Sequence, residues 1–417
     1  MHNIVVLGGG FGGVTATRHL ERLVGWRADV AITLVSRENY FVLTPLLFEA
    51  CSGVLELRHC AQPIRPALRY ARFIEATVDH VDVERRVVHA TAAGGTAYDL
   101  PYDQLVVALG GTTNQSLIPG STTAFTFKSM GDALLLRNHL LERFERADAA
   151  ADATERKRLL TTVMVGGGLV GTELLGELTA FTANVLRYYP RLRDEQIAFH
   201  LIEAGPRIMP EIDPKLADIA AGVLRRRGAD IRVGTPVKAI EPGCVHLADQ
   251  SIEADTIILA AGIVPNAAAV QIPVEHDERG RIVVDANMRS TSHPTVWALG
   301  DCAAIPGPDG RPYPALAQFA TREARALARN VVASVQGLPG TPFRFRSLGT
   351  MASLGRTDAV GTVMGMRLTG FPAWWIRRTY YLFQMPRWDR RIRMMLDWTV
   401  ALFFKPDVTK VELPSRA

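Results

Sequence analysis

Ile4-Val5-Val6-Leu7-Gly8-Gly9-Gly10-Phe11-Gly12-Gly13 opens the chain, and the same grammar returns at Val163-Met164-Val165-Gly166-Gly167-Gly168-Leu169-Val170-Gly171. Each stretch is a short apolar run followed by G-x-G-x-x-G. Glycine at these positions permits a tight strand-to-helix turn and a close backbone approach, so that a pyrophosphate rests on the positive N-terminus of the next helix. One such match says little. Two, at the heads of two similar halves, predict two dinucleotides in one protein. The economical reason to hold two is to pass electrons between them.

The halves agree beyond the glycines. In the first, a β-rich stretch from Phe73 to Ala90 leads to Asp103-Gln104-Leu105-Val106-Val107-Ala108-Leu109-Gly110. In the second, Ile231 to Leu247 leads to Asp255-Thr256-Ile257-Ile258-Leu259-Ala260-Ala261-Gly262. An uncharged β-branched run closing on small residues reads as a buried parallel strand that ends beneath a ligand. Ala108 and Gly110, and Ala261 and Gly262, are therefore candidate contacts. The repeat unit is a dinucleotide fold with a β-meander inserted before its last strand. Val296-Trp297-Ala298-Leu299-Gly300-Asp301 reads as a further strand, with Gly300 and Asp301 at the carboxyl edge where open α/β sheets bind ligands.

The expected fold class is α/β: two Rossmann-like dinucleotide-binding domains, the second inserted in the first, plus a C-terminal amphipathic helical region. The expected boundaries are 1–125 and 278–345 for the first domain, 126–277 for the second, and 346–417 for the C-terminal region. Lys128 to Lys157 reads as a helical, charged connector.

A carboxylate at the end of the second strand commonly holds the adenine ribose. Glu203, closing Phe199-His200-Leu201-Ile202-Glu203, suits a ribose 2′-OH and repels a 2′-phosphate, which favours NADH over NADPH; Arg207 nearby moderates that discrimination. In the first half the corresponding position is Ser36, a weaker partner, followed by Arg37 and by Glu38, which can reach in from the loop.

The 417 residues are 48% hydrophobic and 21% charged, the balance of a folded protein, and the net charge of +5 names no partner by itself. Cys51, Cys60, Cys244 and Cys302 form no C-x-x-C and no zinc spacing, so no metal site is expected. No secretory leader is expected at the N-terminus, and no apolar run approaches the roughly 18 residues of a membrane span. No nucleic-acid motif occurs. Trp374, Trp375, Trp388 and Trp398 gather near the end, among Arg367, Arg377, Arg378, Arg387, Arg390, Arg391, Arg393 and Lys405. Ile392, Met395, Leu396, Thr399, Leu402 and Phe403 keep helical spacing. Aromatics with arginines suit a membrane interface; a helix packed on the body of the protein, or a dimer contact, is the other reading.

Four further stretches carry a family likeness: Asn39-Tyr40-Phe41 with Thr44-Pro45-Leu46-Leu47-Phe48; Gly171-Thr172-Glu173 with Gly176-Glu177-Leu178; Ala298-Leu299-Gly300-Asp301-Cys302-Ala303; and Pro314-Ala315-Leu316-Ala317-Gln318-Phe319-Ala320-Thr321-Arg322-Glu323. The whole chain resembles the two-dinucleotide flavoproteins and, within them, the type II, single-subunit, non-proton-pumping NADH:quinone oxidoreductases. The last stretch resembles their quinone motif, but with Glu323 where Gln is usual, which changes the donors offered to a quinone carbonyl.

The resemblance implies FAD in the first half and NADH in the second. It implies hydride transfer from NADH to FAD and delivery of two electrons to a membrane quinone without proton pumping. It also implies a peripheral protein on the cytoplasmic face of the cell membrane, and a homodimer. Gly8, Gly10, Phe11, Gly12 and Gly13 would then seat FAD, and Gly166, Gly168, Leu169, Val170 and Gly171 NADH. Asp301 would accept bonds from the ribityl chain, and the helix from Ala317 would turn its positive end to the flavin. Gln318 would stand at the isoalloxazine rim, and Lys128 would approach the flavin. Glu173 is either a residue that orients nicotinamide or relays a proton, or an acid that merely suits a helix start.

Three rival readings stand beside this one. A disulfide reductase needs C-x4-C, and Cys51 and Cys60 are too far apart. A sulfide:quinone oxidoreductase-like enzyme would use Cys302. An NADH-reactive flavoprotein with a non-quinone acceptor or a redox-sensing role would pass electrons slowly to every quinone.

Overall fold

The computed structural model describes residues 1–411 except Pro386 and Pro406. The end of the expected C-terminal region, 412–417, lies outside the described residues. Among the described residues the helices are α1 (Phe11–Val24), α2 (Leu47–Cys51), α3 (Met130–Ala149), α4 (Ala153–Leu159) and α5 (Leu169–Val185). They continue with α6 (Pro214–Arg226), α7 (Ala267–Val270), α8 (Ala317–Val335), α9 (Gly370–Gln384) and α10 (Trp388–Phe403). The chain divides into two compact units, each assembled from three segments.

The first unit takes residues 1–42, 61–112 and 263–347. Its parallel sheet has the order Val296–Ala298, Gln104–Val107, His2–Leu7, Val30–Ser36, Arg72–Glu75. Ile4 to Leu7 and Leu105 to Val107 are buried without alternation, because helices cover both faces of such a sheet. Register aligns Leu7 with Val107 and Val107 with Ala298, which brings Gly8, Ala108 and Leu299 to one carboxyl edge. The predicted meander is present as Thr77–Asp82, Val87–Thr91 and Ala97–Pro101, antiparallel. α1 packs along α8.

The second unit takes 43–60, 113–262 and 348 onward. Its parallel sheet runs Ala229–Arg232, Ala198–Ile202, Thr161–Val165, Thr256–Leu259, and Phe125 bridges in parallel to Ile258 at the open edge. Phe125 thus holds the place that Val296–Ala298 holds in the first unit, and the internal repeat extends to strand order. A second meander, Ala239–Glu241, Cys244–His246 and Ser251–Glu253, completes it. A three-stranded sheet, Met351–Ser353, Ala359–Val363 and Met366–Thr369, carries α9 through a buried contact of Ala359, Ala373 and Trp374.

Four expectations need correction. The first boundary falls at 112 rather than 125, because Phe125 exchanges backbone bonds with Ile257 and Leu259 of the second sheet. The return falls at 263 rather than 278. The segments 43–60 and 348 onward belong to the second unit, where Glu49 and Arg378 pair. Lys128 to Lys157 is no connector: α3 buries Leu136, Leu140, Leu141 and Phe144, and its start is fixed by a capping box between Ser129 and Asp132. No helix among the described residues is long and apolar enough to cross a membrane.

Candidate active site

In the first unit the glycine turn is dictated by space. Gly8 has φ +108°, and a Cβ there would collide with the Ala108 carbonyl; at Gly13 it would meet the Gly8 carbonyl. Gly10 differs, since a Cβ added there meets nothing within 4 Å. That open flank leaves the start of α1, which no side chain caps, accessible to an anion. Ser36 ends its strand beside Gly9, where an added Cβ would lie 2.5 Å from the Ser36 hydroxyl. Arg37 and Glu38 pair with each other on the surface at 3.2 Å.

Sequence reading missed Gln62. Its strand pairs antiparallel with Tyr40–Val42, with Gln62 opposite Phe41, so the two side chains share a face. The Phe41 ring lies edge-on to Phe11 of the glycine turn, centroids 4.9 Å apart. Gln62 is 1% exposed, and neither its amide nitrogen nor its oxygen has a partner. A buried, unpartnered amide beside an open pyrophosphate seat fits a large polar ligand such as FAD, which would satisfy it.

Gly300 (φ +71°) follows Leu299 at the same carboxyl edge and donates its N–H to Glu323 Oε2 at 2.9 Å. Glu323 therefore turns inward, contrary to its expected place facing a quinone. Burial, reinforced by the Asp301 charge, raises its pKa to about 7 against the Gly300 bond. Ala317 opens α8, which no side chain caps, and the Gln318 amide donates to Ser347 Oγ at 3.0 Å. Cys302 is sealed under this edge, its thiol directed at the Leu299 and Val107 carbonyls and pushed up to about 12 by burial.

The second turn repeats the first. Gly166 has φ +107°, and an added Cβ would lie 2.6 Å from the Ala260 carbonyl; at Gly171 it would meet the Gly166 carbonyl. Glu203 lies where its sequence position places it. Its Oε2 accepts from Gly167 N–H and its Oε1 from Gly205 N–H, both at 2.6 Å. Ala261 and Gly262 (φ +80°) follow the buried strand Thr256–Leu259. Glu211, unnoticed in the sequence, lies 3.3 Å from where a Gly168 Cβ would stand, and it accepts a backbone bond from Leu169 at the start of α5. Burial raises its pKa. An anion seated here must displace that carboxylate or find it protonated.

Glu173 is not an acid in the first turn of its helix. It is buried, and its Oε1 accepts from Arg377 Nη2 and from Ser353 N–H, both at 2.7 Å. Burial still holds its pKa above the ordinary value, with the Arg377 charge opposing. Arg377 also donates to the Pro45 carbonyl at 2.9 Å. Arg378 Nη2 and Trp398 Nε1 both donate to Glu49 Oε2, at 2.9 and 2.7 Å. Glu177 accepts only hydroxyls, from Ser353 at 3.0 Å and Ser52 at 3.3 Å. Burial first and Glu49 second raise its pKa to about 7. Three carboxylates thus face two guanidiniums, and burial together with the surplus negative charge favours the protonated form of Glu177. Lys128 and Ser129 give their backbone N–H groups to Asp132.

This arrangement also revises the C-terminal reading. Trp374, Trp398, Arg377 and Arg378 are buried within the second unit, and Arg378 stacks on both rings at 4.0 and 4.9 Å. They are not an interfacial belt. Trp375, Trp388, Ile392, Leu396, Val400, Leu402 and Phe403 are exposed, and these keep the apolar face.

The family model described as pyridine nucleotide-disulphide oxidoreductase matches residues 2–324. A type II NADH:quinone oxidoreductase of Mycobacterium tuberculosis is 30% identical, over 96% of this chain and 88% of its own. The type II NADH:quinone oxidoreductase of Staphylococcus haemolyticus is 31% identical, over 90% and 93%. The chain belongs to this family. The fold agrees with its type II members: NDH2 of Plasmodium falciparum, solved in complex with NADH, superimposes with a TM-score of 0.90 at 20% identity, covering 98% of this chain and all of that one.

Proposed function

We propose that the protein is an FAD-dependent NADH:quinone oxidoreductase that works on a membrane surface without pumping protons. The observation that carries this reading is the duplication, in a member of the type II family, of a glycine turn at the carboxyl edge of a parallel sheet. When bound, the flavin supplies the redox chemistry, taking a hydride from reduced nicotinamide and releasing two electrons to a quinone.

The chain's own residues bind, orient and balance charge. The α1 N-terminus and the open flank of Gly10 would hold the FAD pyrophosphate, Gln62 and Ser36 would supply polar contacts, and Asp301 would accept from the ribityl hydroxyls. The uncapped N-terminus of α8 favours negative charge next to Ala317 and Gln318. In the second unit the α5 N-terminus receives the NADH pyrophosphate as Glu211 yields, and Glu203 releases the Gly167 and Gly205 N–H groups to take a ribose hydroxyl. Glu173 is held by Arg377, and a proton on Glu177 would balance the charge of their cluster. The exposed apolar face of α9 and α10 supports the peripheral membrane reading, on the cytoplasmic side where NADH is supplied. The homodimer implied by the resemblance is tested by light scattering in detergent.

The cysteine chemistry of a sulfide:quinone enzyme finds no support here, because a reactive cysteine works as an accessible thiolate. Cys51 and Cys302 are buried with pKa values near 12, and Cys60 is raised as well.

Anaerobic stopped-flow absorbance tests the assignment. Fast flavin bleaching by NADH, slow bleaching by NADPH and fast recovery with a short-chain quinone are expected. Bleaching without recovery would remove the quinone from the assignment.

A further inference from the structure

The outer turns of α8 carry Arg322, Arg325 and Arg329 at helical spacing, and the segment 341–345 runs beside them with Arg344. The two enclose a cleft of about 300 Å³, at the lower end for small-ligand sites. Its walls are fixed. Asn330, 2% exposed, donates to the Asn287 and Thr341 carbonyls at 2.9 and 3.0 Å and accepts from Thr341 N–H at 2.8 Å. Phe343 is buried and donates its N–H to the Ala286 carbonyl at 2.7 Å. Arg322 lies 4.4 Å over the Phe345 ring and donates to the Gln318 carbonyl at 2.9 Å, so its guanidinium is aimed before any ligand arrives.

Among the described residues, the acids nearest in sequence, Glu323 and Glu21, are bonded to backbone N–H groups. Glu323 faces Gly300. Glu21, on the neighbouring α1, accepts three backbone N–H groups, from Arg69, Tyr70 and Ala71, each at 2.7 Å. Among the described residues no carboxylate reaches ion-pair distance of Arg322, Arg325, Arg329 or Arg344. Arg22 adds its charge from α1, and so does Arg18, whose charge Glu21 partly offsets. His19 registers the resulting field: burial, then Arg22, Arg325, Arg329 and Arg18, lower its pKa to about 4.

We propose that this cleft is a binding site for a phosphate-bearing anion, separate from both glycine turns. Guanidinium groups on rigid supports, with no carboxylate to answer them, suit the planar, bidentate recognition of phosphate oxygens. The separation follows from helix geometry: Arg329 is twelve residues from the start of α8, about 18 Å along its axis, and the FAD seat is at the glycine end. The phosphate belongs either to a free nucleotide-like anion or to the headgroup of an anionic lipid. Both present the same dianionic or diester oxygens to the arginines.

The experiment uses FAD-loaded full-length protein with saturating NAD+, so that the second glycine turn is filled. Inorganic pyrophosphate is titrated calorimetrically, and vesicles of phosphatidylcholine with and without phosphatidylglycerol are tested by flotation. Saturable pyrophosphate binding that weakens at least about tenfold in Arg325→Glu/Arg329→Glu identifies a soluble phosphate ligand. A phosphatidylglycerol-dependent increment in flotation that this variant abolishes, without pyrophosphate binding, identifies a lipid headgroup. Both results support the site. Retained flavin absorbance reports that the variant is folded; if it is lost, Arg344→Glu on the opposite wall replaces it. Equal binding by wild type and a folded variant, or no binding of either probe, overturns the proposal.

Discussion

At Glu177 a single carboxyl carries a pH dependence whose sign is fixed. Its folded pKa, about 7, stands above the ordinary 4.5. Between those values the unfolded chain has released the proton and the folded chain keeps it, so this group's contribution to stability is full below about pH 4.5, declines as pH rises, and is lost above 7. Glu177→Gln should therefore match wild type at low pH and exceed it at pH 8 by about 3 kcal/mol, read as denaturation midpoints across pH. Glu323→Gln tests a second carboxyl of the same kind. The amide oxygen can still accept from Gly300, so the variant should keep its flavin, and its flavin retention should vary less with pH around 7 than that of the wild type. Glu211→Gln removes a negative charge from the α5 N-terminus and should lower the KM for NADH severalfold with kcat unchanged; an unchanged KM would mean the carboxylate swings clear at no cost.

Among the elements, α9 and α10 show most clearly what the sequence could convey. The helical period of α10, from Ile392 to Phe403, was legible, since spacing is local. The inward turn of Arg377 and Arg378 was not, because Glu49, the partner of Arg378, lies 329 residues away in the chain. α3 was legible as a helix, but its buried face was not: its charged residues dilute an apolar stripe that only packing reveals. Arg377→Ala should destabilise the protein by about 3–5 kcal/mol, the usual cost of leaving a buried carboxylate without its cation, measured by urea denaturation. Leu402→Asp with Phe403→Asp lies on the exposed side and should instead leave stability within about 0.5 kcal/mol while reducing vesicle flotation.

Over the whole molecule, the duplicated turn was legible because glycine spacing, strand composition and strand-end residues repeat together; that Glu203 accepts from Gly167 N–H was not part of that reading. Gln62 and Glu211 were not, since neither belongs to the repeating pattern and each is placed by tertiary pairing. The two turns also make separable predictions. Gly10 has extended backbone, φ −82° and ψ −166°, and open space at its Cβ. Gly10→Val should fold with an unchanged melting temperature in the absence of cofactor, yet emerge colourless, while still binding NADH at the second turn by fluorescence. Loss of NADH binding as well would show that the halves do not fold their sites independently.

The second unit gathers three separated stretches of chain, and its buried ion pairs join the first to the last. On a ribosome adding about 5–20 residues per second, Glu49 is made roughly 16–65 s before Arg378. Throughout that interval a carboxylate destined for the interior has no cation to meet. The unit is therefore completed only near the end of synthesis, and a message truncated before α9 yields a chain bound for quality control rather than a shorter enzyme.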